Sequence, residues 1–516
     1  MKRLFAVTLS IVMLFLLCSC NPGESLLDSI SDIKSEDESV EPGIDKIGYK
    51  IPYDRTDSLN PFKTSGAINR CIISLLYDSL YAVDNSFNAV SVMASSSNIK
   101  DNSLTVILKS DLKFTDGSPV SGSDVVYSFE KAKDSKAYSA YLNNISAAKS
   151  NGNTVIFTML NQNKNEASNL VFPIIKSDSD ITQSKDKSEI IPVGSGRYFI
   201  KDENGTKTLY ANKNRLGGYH PKYNMTGLTA VTESSSVQSL FSLGEIDAYV
   251  NDYGNGQFSN YSGIGKNYET TNMVYLGINS NSSVLSDIKV RRAIALLLNR
   301  TDLADVSFAG HAVSTSVPFH PDYSELKGCT LPTLKSNTAS ASKLLDEAGY
   351  DLVSSRNIRY SSEGKTLEVT LLVNADNSFK ISLARSIQQS LERAKISVNL
   401  KEYSYNSYVR AVEQGSYSIY IGEAKLSNNF DLSRFFTEGG SLSYGIDTSG
   451  KCASAYLKYR SSEISMQSFI DCFADELPII PIAFRKGLTI KSSKIAQDIV
   501  STPDNCFSNI NDWTVS

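Results

Sequence analysis

A short segment near the C-terminal end of the chain concentrates polar side chains of types that bind ligands. It follows an apolar run at 416–421, "SYSIYI", that is typical of a strand. Carboxylates pair with ammonium groups, cations pair with carboxylates, and amides both donate and accept hydrogen bonds. A surface loop tolerates the same mixture, so both interpretations stay open at this point. The six side chains are Glu423, Lys425, Asn428, Asn429, Asp431 and Arg434.

The rest of the sequence offers little for catalysis. The histidines His220, His311 and His320 do not stand at metal-ligand spacing with one another or with a cysteine. No GxSxG, P-loop or GxGxxG motif occurs, and "GSG" at 194–196 is too short to cradle a phosphate. The sequence therefore predicts a protein that is not an enzyme, with no metal site and no cofactor. A surface enzyme is the alternative from a different class.

Five cysteines lie beyond the first 20 residues, and none of them forms a CxxC motif. Their scatter indicates neither a zinc site nor a disulfide framework. One disulfide remains possible in an exported protein, and the spacing does not choose it. The five are Cys71, Cys329, Cys452, Cys472 and Cys506.

The N-terminal segment is typical of an export signal. Lys2 and Arg3 precede an apolar stretch at 4–17, which is too short to span a bilayer comfortably. "LCSC" at 17–20 resembles a bacterial lipobox, which implies a signal peptide at 1–19 and a lipid on Cys20. The alternative is an ordinary signal peptide that happens to contain two cysteines.

The residues that follow are strongly acidic. Residues 21–43 hold seven acidic residues and one lysine, and few apolar ones, so we expect 20–43 to be a disordered tether with the lipidated cysteine at its start. The remainder of the chain has equal numbers of acidic and basic residues. A neutral body argues against nucleic-acid binding, which needs a concentrated positive surface.

Beyond the tether, strands and amphipathic helices alternate. The pattern predicts strands at 104–114, 153–160, 273–279, 367–374, 397–405 and 477–484, and helices at 237–244, 340–350, 382–396 and 406–417, with a further helix that begins after an N-cap at Asp124. The βαβα run from 367 onward predicts an α/β sheet with helices on both faces. A chain of 516 residues exceeds what one core usually supports, so two or three lobes are expected. Two lobes joined by a hinge can close on a ligand between them.

Six segments in order resemble the family-5 extracellular solute-binding proteins of ABC importers. They are "DSLNPF" (57–62), "LLYDSLYAVD" (75–84), "LKFTDGSPVSGSDVVYSFEKA" (112–132), "VGSGRYFI" (193–200), "YLGINSNSSVLSDIKVRRAIALLLNR" (275–300) and "KLLDEAGY" (343–350). A single match of this kind would be weak, but six that keep their order along most of the chain are specific.

The resemblance implies a two-lobed α/β fold of the periplasmic-binding-protein type, with an extra subdomain and a ligand cleft between hinged lobes. The first lobe would combine 44–60, 194–272 and 480–516, with a subdomain inserted at 61–193. The second lobe would be 273–479. These boundaries are expectations drawn from the family and not from the periodicity of the sequence.

The resemblance also implies a function. The protein would be a monomeric lipoprotein on the outer face of the cell membrane that captures a peptide without chemical change. It would deliver the peptide to a two-subunit permease driven by cytoplasmic ATPases. A nickel chelate or another small solute is the alternative ligand, and a peptide-sensing lipoprotein that does not transport is the alternative role.

Residue roles transfer less completely than the fold. "AYSAYL" at 137–142 is similar to an element with a cleft tyrosine, which nominates Tyr138, and the strand "VYLGIN" nominates Tyr275. Arg485 follows the last strand, near another family contact. The family's aspartate for a peptide ammonium group is missing from 422–436, where Glu423 or Asp431 offers a carboxylate instead. The predicted ligand-binding set is Tyr138, Tyr275, Glu423, Lys425, Asn428, Asn429, Asp431, Arg434 and Arg485.

Overall fold

A computed structural model describes residues 43–181, 190–251, 254 and 261–516. The predicted signal peptide, Cys20 and the tether up to residue 42 lie outside the described residues. Within the described ranges, no helix has the length and apolar character needed to cross a bilayer.

The strands are β1 (Ile44–Asp54), β2 (Tyr81–Val83), β3 (Ala89–Ser91), β4 (Ala94–Lys100), β5 (Ser103–Leu108), β6 (Ile145–Asn151), β7 (Thr154–Met159), β8 (Tyr198–Glu203), β9 (Thr206–Ala211), β10 (Tyr223–Val231), β11 (Ala248–Asn251), β12 (Ile264–Ile278), β13 (Ala312–Ser314), β14 (Leu352–Val353), β15 (Arg359–Tyr360), β16 (Glu368–Asn374), β17 (Ser397–Tyr403), β18 (Ile419–Lys425) and β19 (Ile479–Lys491). The helices are α1 (Ala67–Leu76), α2 (Gly122–Lys133), α3 (Ser234–Ser242), α4 (Ile288–Leu297), α5 (Arg300–Phe308), α6 (Thr338–Glu347), α7 (Ser378–Arg393), α8 (Tyr405–Glu413), α9 (Ser433–Phe436), α10 (Lys451–Arg460) and α11 (Met466–Glu476).

Three larger sheets organise these elements. One has the order β1-β10-β9-β8, and a second has the order β4-β5-β7-β6. The largest runs β11-β19-β12-β18-β16-β17, with β13 also paired to β19. In it β16, β17 and β18 pair in parallel, with α7 and α8 as the crossovers, which confirms the predicted βαβα run.

Each sheet contributes to its own hydrophobic cluster. The largest cluster surrounds the seven-stranded sheet, with side chains such as Leu371, Ile421 and Phe484 that are almost fully buried. The second lies around β1, α1 and the C-terminal segment that ends in Trp513. The third fills the space between α2 and the β4–β7 sheet. The predicted domain boundaries stay a prediction.

Several predicted elements differ from the structure in their ends. The strand predicted at 104–114 stops at Leu108, because Lys113 and Pro119 form a separate bridged turn. The N-cap of α2 is Ser121 and not Asp124, which stands three residues later and completes a capping box. The strand predicted to end at Ile421 continues to Lys425, so Glu423 lies within a strand and not in a loop.

Two glycine–tyrosine pairs fix the spacing between β12 and β18. Tyr275 stands opposite Gly422, and Gly277 stands opposite Tyr420. A Cβ on Gly277 would lie 1.9 Å from the Tyr420 ring, and a Cβ on Gly422 would lie 2.4 Å from the Tyr275 ring. Both positions therefore require glycine because an aromatic ring covers them.

The capping box of α2 supplies a test of local stability. Asp124 accepts hydrogen bonds from the backbone and hydroxyl of Ser121, and also from the backbone and hydroxyl of Ser177 at 3.0 and 2.8 Å. We expect Asp124→Ala to lower the free energy of unfolding by about 3 kcal/mol, because it leaves these donors without a partner. Urea unfolding followed by circular dichroism measures the change. Glu130→Ala, at an exposed position of the same helix, is the control, and equal stability of the two variants would contradict the prediction.

Candidate ligand-binding site

A cavity of about 590 Å³ lies where the three hydrophobic clusters meet. Its walls come from α1, the turn that follows α2, the middle of β12, the end of β18, the middle of β19 and the segment at 503–511. A volume of this size is typical of a pocket for a small organic ligand.

Tyrosines form much of the apolar wall. Five of them line the cavity, on four different parts of the fold. Burial raises the pKa of the phenols of Tyr138 and Tyr219, so both stay neutral and can donate a hydrogen bond. Such rings offer a ligand a flat apolar face with a polar tip. The five are Tyr77, Tyr138, Tyr141, Tyr219 and Tyr268.

Two of the cations in the wall are neutralised by the protein. The Arg215 guanidinium makes two bonds to the Asp78 carboxylate, at 2.9 and 3.2 Å. The Lys486 ammonium lies 2.8 Å from a carboxylate oxygen of Glu269. Each of these ion pairs has little net charge, so neither cation adds much positive charge to the cavity wall.

Three other cations have no carboxylate within ion-pair distance among the described residues: Arg70, Arg197 and Lys425. Arg197 donates from one terminal nitrogen to the Ser508 carbonyl at 2.7 Å, while its other terminal nitrogen is buried without a partner. The Lys425 ammonium lies 5.6 Å from the centre of the Tyr141 ring. The wall therefore carries positive charge that the protein does not balance.

One carboxylate of the wall, that of Asp504, has no cationic partner among the residues that the structure describes either. Asp504 accepts hydrogen bonds from the Val83 backbone at 2.9 Å and from the Thr502 hydroxyl at 2.7 Å. Burial raises the pKa of Asp504, because it disfavours the charged carboxylate. A positive charge placed beside Asp504 would act in the opposite direction and favour the ionised form.

Three of the predicted ligand-binding residues line this cavity: Tyr138, Lys425 and Asn428. Asn428 also donates to the Ser168 carbonyl at 3.0 Å, which ties its loop to the segment after β7. The ligand roles of these residues stay predictions.

Glu423 of β18 and Arg485 of β19 form an ion pair with each other across β12, the strand that lies between them. Lys380 of α7 contacts the same carboxylate at 2.9 Å. Burial opposes ionisation of Glu423, but the two cations outweigh it and lower the pKa of that carboxyl. Neither Glu423 nor Arg485 lines the cavity.

Asp431 is also held by the protein itself. The Arg460 guanidinium lies 3.1 Å from it, and the Tyr456 hydroxyl donates to it at 3.0 Å. Arg434 donates to the Ser441 hydroxyl at 2.9 Å. Tyr275 is 1 % exposed, with its ring packed on Tyr420 and Phe435. These three predicted residues lie away from the cavity wall.

Asn429 joins a buried polar contact around Glu166. It donates to this carboxylate at 3.4 Å, and Asn144 and Asn169 donate at 3.0 and 3.3 Å. Burial raises the pKa of Glu166 to about 7. The contact links the residues after β18 to the turn at Glu166–Asn169, which precedes the cavity wall at Val171.

Sequence reasoning missed Arg70, Arg197 and Asp504. Arg70 lies on a helix without a motif, and Asp504 lies in a C-terminal segment that resembles nothing specific. Arg197 lies within "VGSGRYFI" (193–200), one of the six segments that carry the family resemblance, but its position there gives no sign of a place in the cavity wall.

Metal-binding side chains come together at one place in the part of the chain that the structure describes. The ligand atoms of Glu269, His320 and Asp322 lie within 4.8 Å of one another. His320 is bonded to Glu269 at 2.9 Å, and the Lys486 ammonium occupies the other oxygen of that carboxylate. The Glu269 carboxylate is therefore already paired with a cation of the protein.

The cysteines have an arrangement that the sequence did not reveal. All five described cysteines are free. Cys506 at the cavity wall influences the Cys71 thiol of α1 and, together with burial, raises the pKa of that thiol.

Comparison with known proteins places this architecture. The model of the bacterial extracellular solute-binding proteins, family 5 (Middle), matches residues 88–441, which is more than half of the chain. The chain belongs to family 5. Its members are solute-binding proteins and not enzymes.

The curated family-5 relatives are distant. The glutathione-binding protein GsiB of Shigella flexneri serotype 5b is 24 % identical over 311 residues, 57 % of this chain and 60 % of the relative. The oligopeptide-binding protein AppA of Bacillus subtilis is 24 % identical over 363 residues, 66 % of this chain and 65 % of the relative. The matches thus span less than two thirds of these relatives' lengths.

Solved family-5 structures share the fold over nearly the whole chain. A nickel ABC transporter protein from Bacillus halodurans aligns with a TM-score of 0.72 at 17 % identity, over 92 % of this chain and 100 % of that one. The predicted two-lobed periplasmic-binding-protein fold is confirmed.

Glu166 makes the stability of the molecule depend on pH. The folded protein holds the Glu166 proton up to about pH 7, whereas an exposed carboxyl of pKa 4.5 loses it earlier. This term therefore lowers the free energy of unfolding as pH rises from about 4.5 to 7, by up to about 3 kcal/mol. Urea unfolding across this range should show a flatter profile for Glu166→Gln than for the natural protein.

The matched control is Glu438→Gln, at an exposed position shortly after α9. It should keep the natural pH profile. Identical slopes for Glu166→Gln and the natural protein would contradict the assignment.

Proposed function

We propose that this protein is the extracellular substrate-binding component of an ABC importer for short peptides, anchored to the membrane by a lipid on Cys20. The observation that carries the proposal is the cavity. In a family-5 chain, a tyrosine-lined cavity with charges of both signs lies between the elements that a hinge would move.

A peptide suits the chemistry of the walls. It presents a carboxylate at one end, an ammonium group at the other and amides between them. The cavity offers arginine and lysine for the first, Asp504 for the second and phenol hydroxyls for the third. A volume of about 590 Å³ favours a di- or tripeptide over a long peptide. Two relatives, a glutathione-binding and an oligopeptide-binding protein, support the same class of ligand.

The predicted site residues divide by position. We propose that Tyr138, Lys425 and Asn428 contact the ligand, because they line the cavity. The Glu423–Arg485 ion pair links β18 to β19, the two strands on either side of β12.

The remaining members of the predicted set act from behind the wall. Asn429, Asp431 and Arg434 fix the loop after β18, and Tyr275 packs beneath it. In this proposal they position the ligand contacts without touching the ligand.

Transport follows from capture without chemistry. The monomeric protein binds the peptide on the outer face of the membrane and closes around it. It then docks on a permease of two subunits, and cytoplasmic ATPases drive release and passage of the peptide. The description of the family as extracellular supports this location. The boundaries proposed for the moving lobes are 44–60, 194–272 and 480–516 for the first, with 61–193 inserted, and 273–479 for the second.

A metal chelate is the second candidate ligand. The nickel transporter protein with a TM-score of 0.72 favours it, and chelates carry carboxylates that unpaired arginines bind. A peptide-sensing lipoprotein that does not transport would use the same cavity. A permease and ATPase pair encoded beside the gene would favour import over sensing.

Binding is tested on the full chain by native mass spectrometry and by thermal unfolding with di- and tripeptides. A ligand at 100 times its Kd should stabilise the protein by about 2.7 kcal/mol. Tyr138→Ala should weaken peptide binding roughly tenfold, about 1.4 kcal/mol, because a stacking face and a donor are lost. Tyr405→Ala, at an exposed tyrosine outside the cavity, is the control. A response to Ni²⁺ chelates without any response to peptides would overturn the choice of ligand.

The anchor is tested separately. Cys20→Ser should move the protein from the membrane fraction to the medium or periplasm, because the lipid has no attachment point. Metabolic labelling with a fatty-acid analogue should label the natural protein and not Cys20→Ser. Cys18→Ser is the matched control and should stay labelled. Label that persists in Cys20→Ser would contradict the anchor.

A further inference from the structure

We propose that the cavity selects a ligand with net negative charge, an acidic short peptide or another polycarboxylate of that size, through Arg70, Arg197 and Lys425. The proposal deepens the proposed function and rests on it. It assigns to three residues a selectivity that the family resemblance does not give.

The balance of charges carries this inference. Five cations line the cavity, and the protein neutralises two of them through Asp78 and Glu269. The three that remain face one uncompensated carboxylate, Asp504. A ligand that balances the wall therefore carries about two more negative charges than positive ones.

The positions of the three cations explain why a ligand is expected to balance them. Arg197 is 8 % exposed, and one of its terminal nitrogens is buried without a hydrogen-bond partner. A buried donor of a charged group that stays unsatisfied is costly, so native proteins seldom keep one without a purpose. A ligand carboxylate beside Arg197 would satisfy that nitrogen.

Arg70 and Lys425 stand on different elements of the same wall. Arg70 projects from α1 and acts electrostatically on the Tyr138 phenol, which also lines the cavity. Lys425 ends β18 and lies over the Tyr141 ring. The three cations thus come from three parts of the fold, which suits a ligand with more than one carboxylate.

Asp504 gives the site its second requirement. It lies on the same wall, where a ligand ammonium group would supply the missing positive partner. A ligand with two carboxylates and one ammonium group meets more of these contacts than a neutral peptide does. A polycarboxylate without an amine would meet the cations alone.

The test uses the full chain and isothermal titration with dipeptides of matched size. Glu-Glu should bind at least tenfold more tightly than its neutral counterpart Gln-Gln, and Lys-Lys should bind most weakly. Arg70→Gln should reduce the preference for Glu-Glu over Gln-Gln to less than threefold. Arg356→Gln removes an exposed arginine outside the cavity and should leave the preference unchanged.

A second variant keeps the proposal testable if Arg70→Gln does not fold. Lys425→Met retains the aliphatic stem and removes only the charge, and it should also reduce the preference. Citrate and the nickel complex of EDTA provide the second arm. Tight binding of either one with no response to any peptide would support the charge selectivity and overturn the peptide choice.

Other outcomes separate the two proposals in the opposite direction. Equal affinities for Glu-Glu and Gln-Gln, unchanged in Arg70→Gln, would overturn the charge selectivity while the peptide-binding function stands. Tighter binding of Lys-Lys would do the same. Failure of every acidic probe to bind, peptides and chelates alike, would overturn the charge selectivity directly.

Discussion

The pairing of β12 with β19 is the constraint on which the site depends. These two long antiparallel strands bond Ile264–Tyr268 to Gly487–Lys491, and then bond again from Asn272 onward against Arg485 and the residues before it. Between the two stretches the register shifts. Several residues of the cavity wall lie in or beside this irregular part: Tyr268, Thr270, Thr271, Asn272, Lys486 and Gly487. A bulge re-aims side chains that a regular ladder would leave pointing to alternate faces.

The sheet neighbours of these strands differ on the two sides of the shift. β11 pairs with the C-terminal part of β19, at Leu488–Lys491, whereas β13 pairs with the part before the shift. β18 joins β12 only from Asn272 onward. β12 and β19 therefore have different neighbouring strands at their two ends.

Charge around the cavity follows a clear division. Carboxylates such as Glu423 and Asp431 are buried and paired with cations of the protein, which fixes strands and loops but leaves no charge to spare. The cations of the cavity wall, in contrast, exceed the carboxylates there. Buried ion pairs contribute little net stability but strongly penalise the loss of one partner. The paired charges and the charges that line the cavity are therefore separated in space, although Glu423 and Lys425 stand only two residues apart along β18.

The polar loop after β18 shows how this separation arises. Within it Lys425 and Asn428 line the cavity, while Asn429 turns away to the Glu166 carboxylate. A positive φ at Phe430 lets the chain reverse there, and its ring packs on Phe87, Tyr323 and Phe484. The aromatic anchor and the amide contacts together hold the loop between two of the hydrophobic clusters. Some polar residues of this loop thus line the cavity, and others hold the loop in place.

The sequence alone determined the elements whose causes are local. The period of apolar residues predicted β16, α7, β17 and α8, and ordered motifs predicted the family and its fold. The sequence also pointed to 422–436 as a segment with ligand-binding types of side chain, and two of its residues, Lys425 and Asn428, line the cavity. Capping and strand ends were less accurate, because Ser121 and Asp124 compete for the same cap and because cross-strand bonds extend β18 beyond its apolar run.

Only the tertiary structure decided which charges line the cavity. Nothing in the sequence indicated that Glu423 and Asp431 are paired within the protein. Lys380 and Arg485 form ion pairs with Glu423, and Arg460 forms one with Asp431, although these cations lie elsewhere in the chain. Arg70, Arg197 and Asp504 carry no common motif and come together only when α1, the residues before β8 and the C-terminal segment pack around one cavity. The reason is physical: helix and strand patterns record interactions between neighbours in sequence, whereas ion pairing depends on distances that folding alone sets.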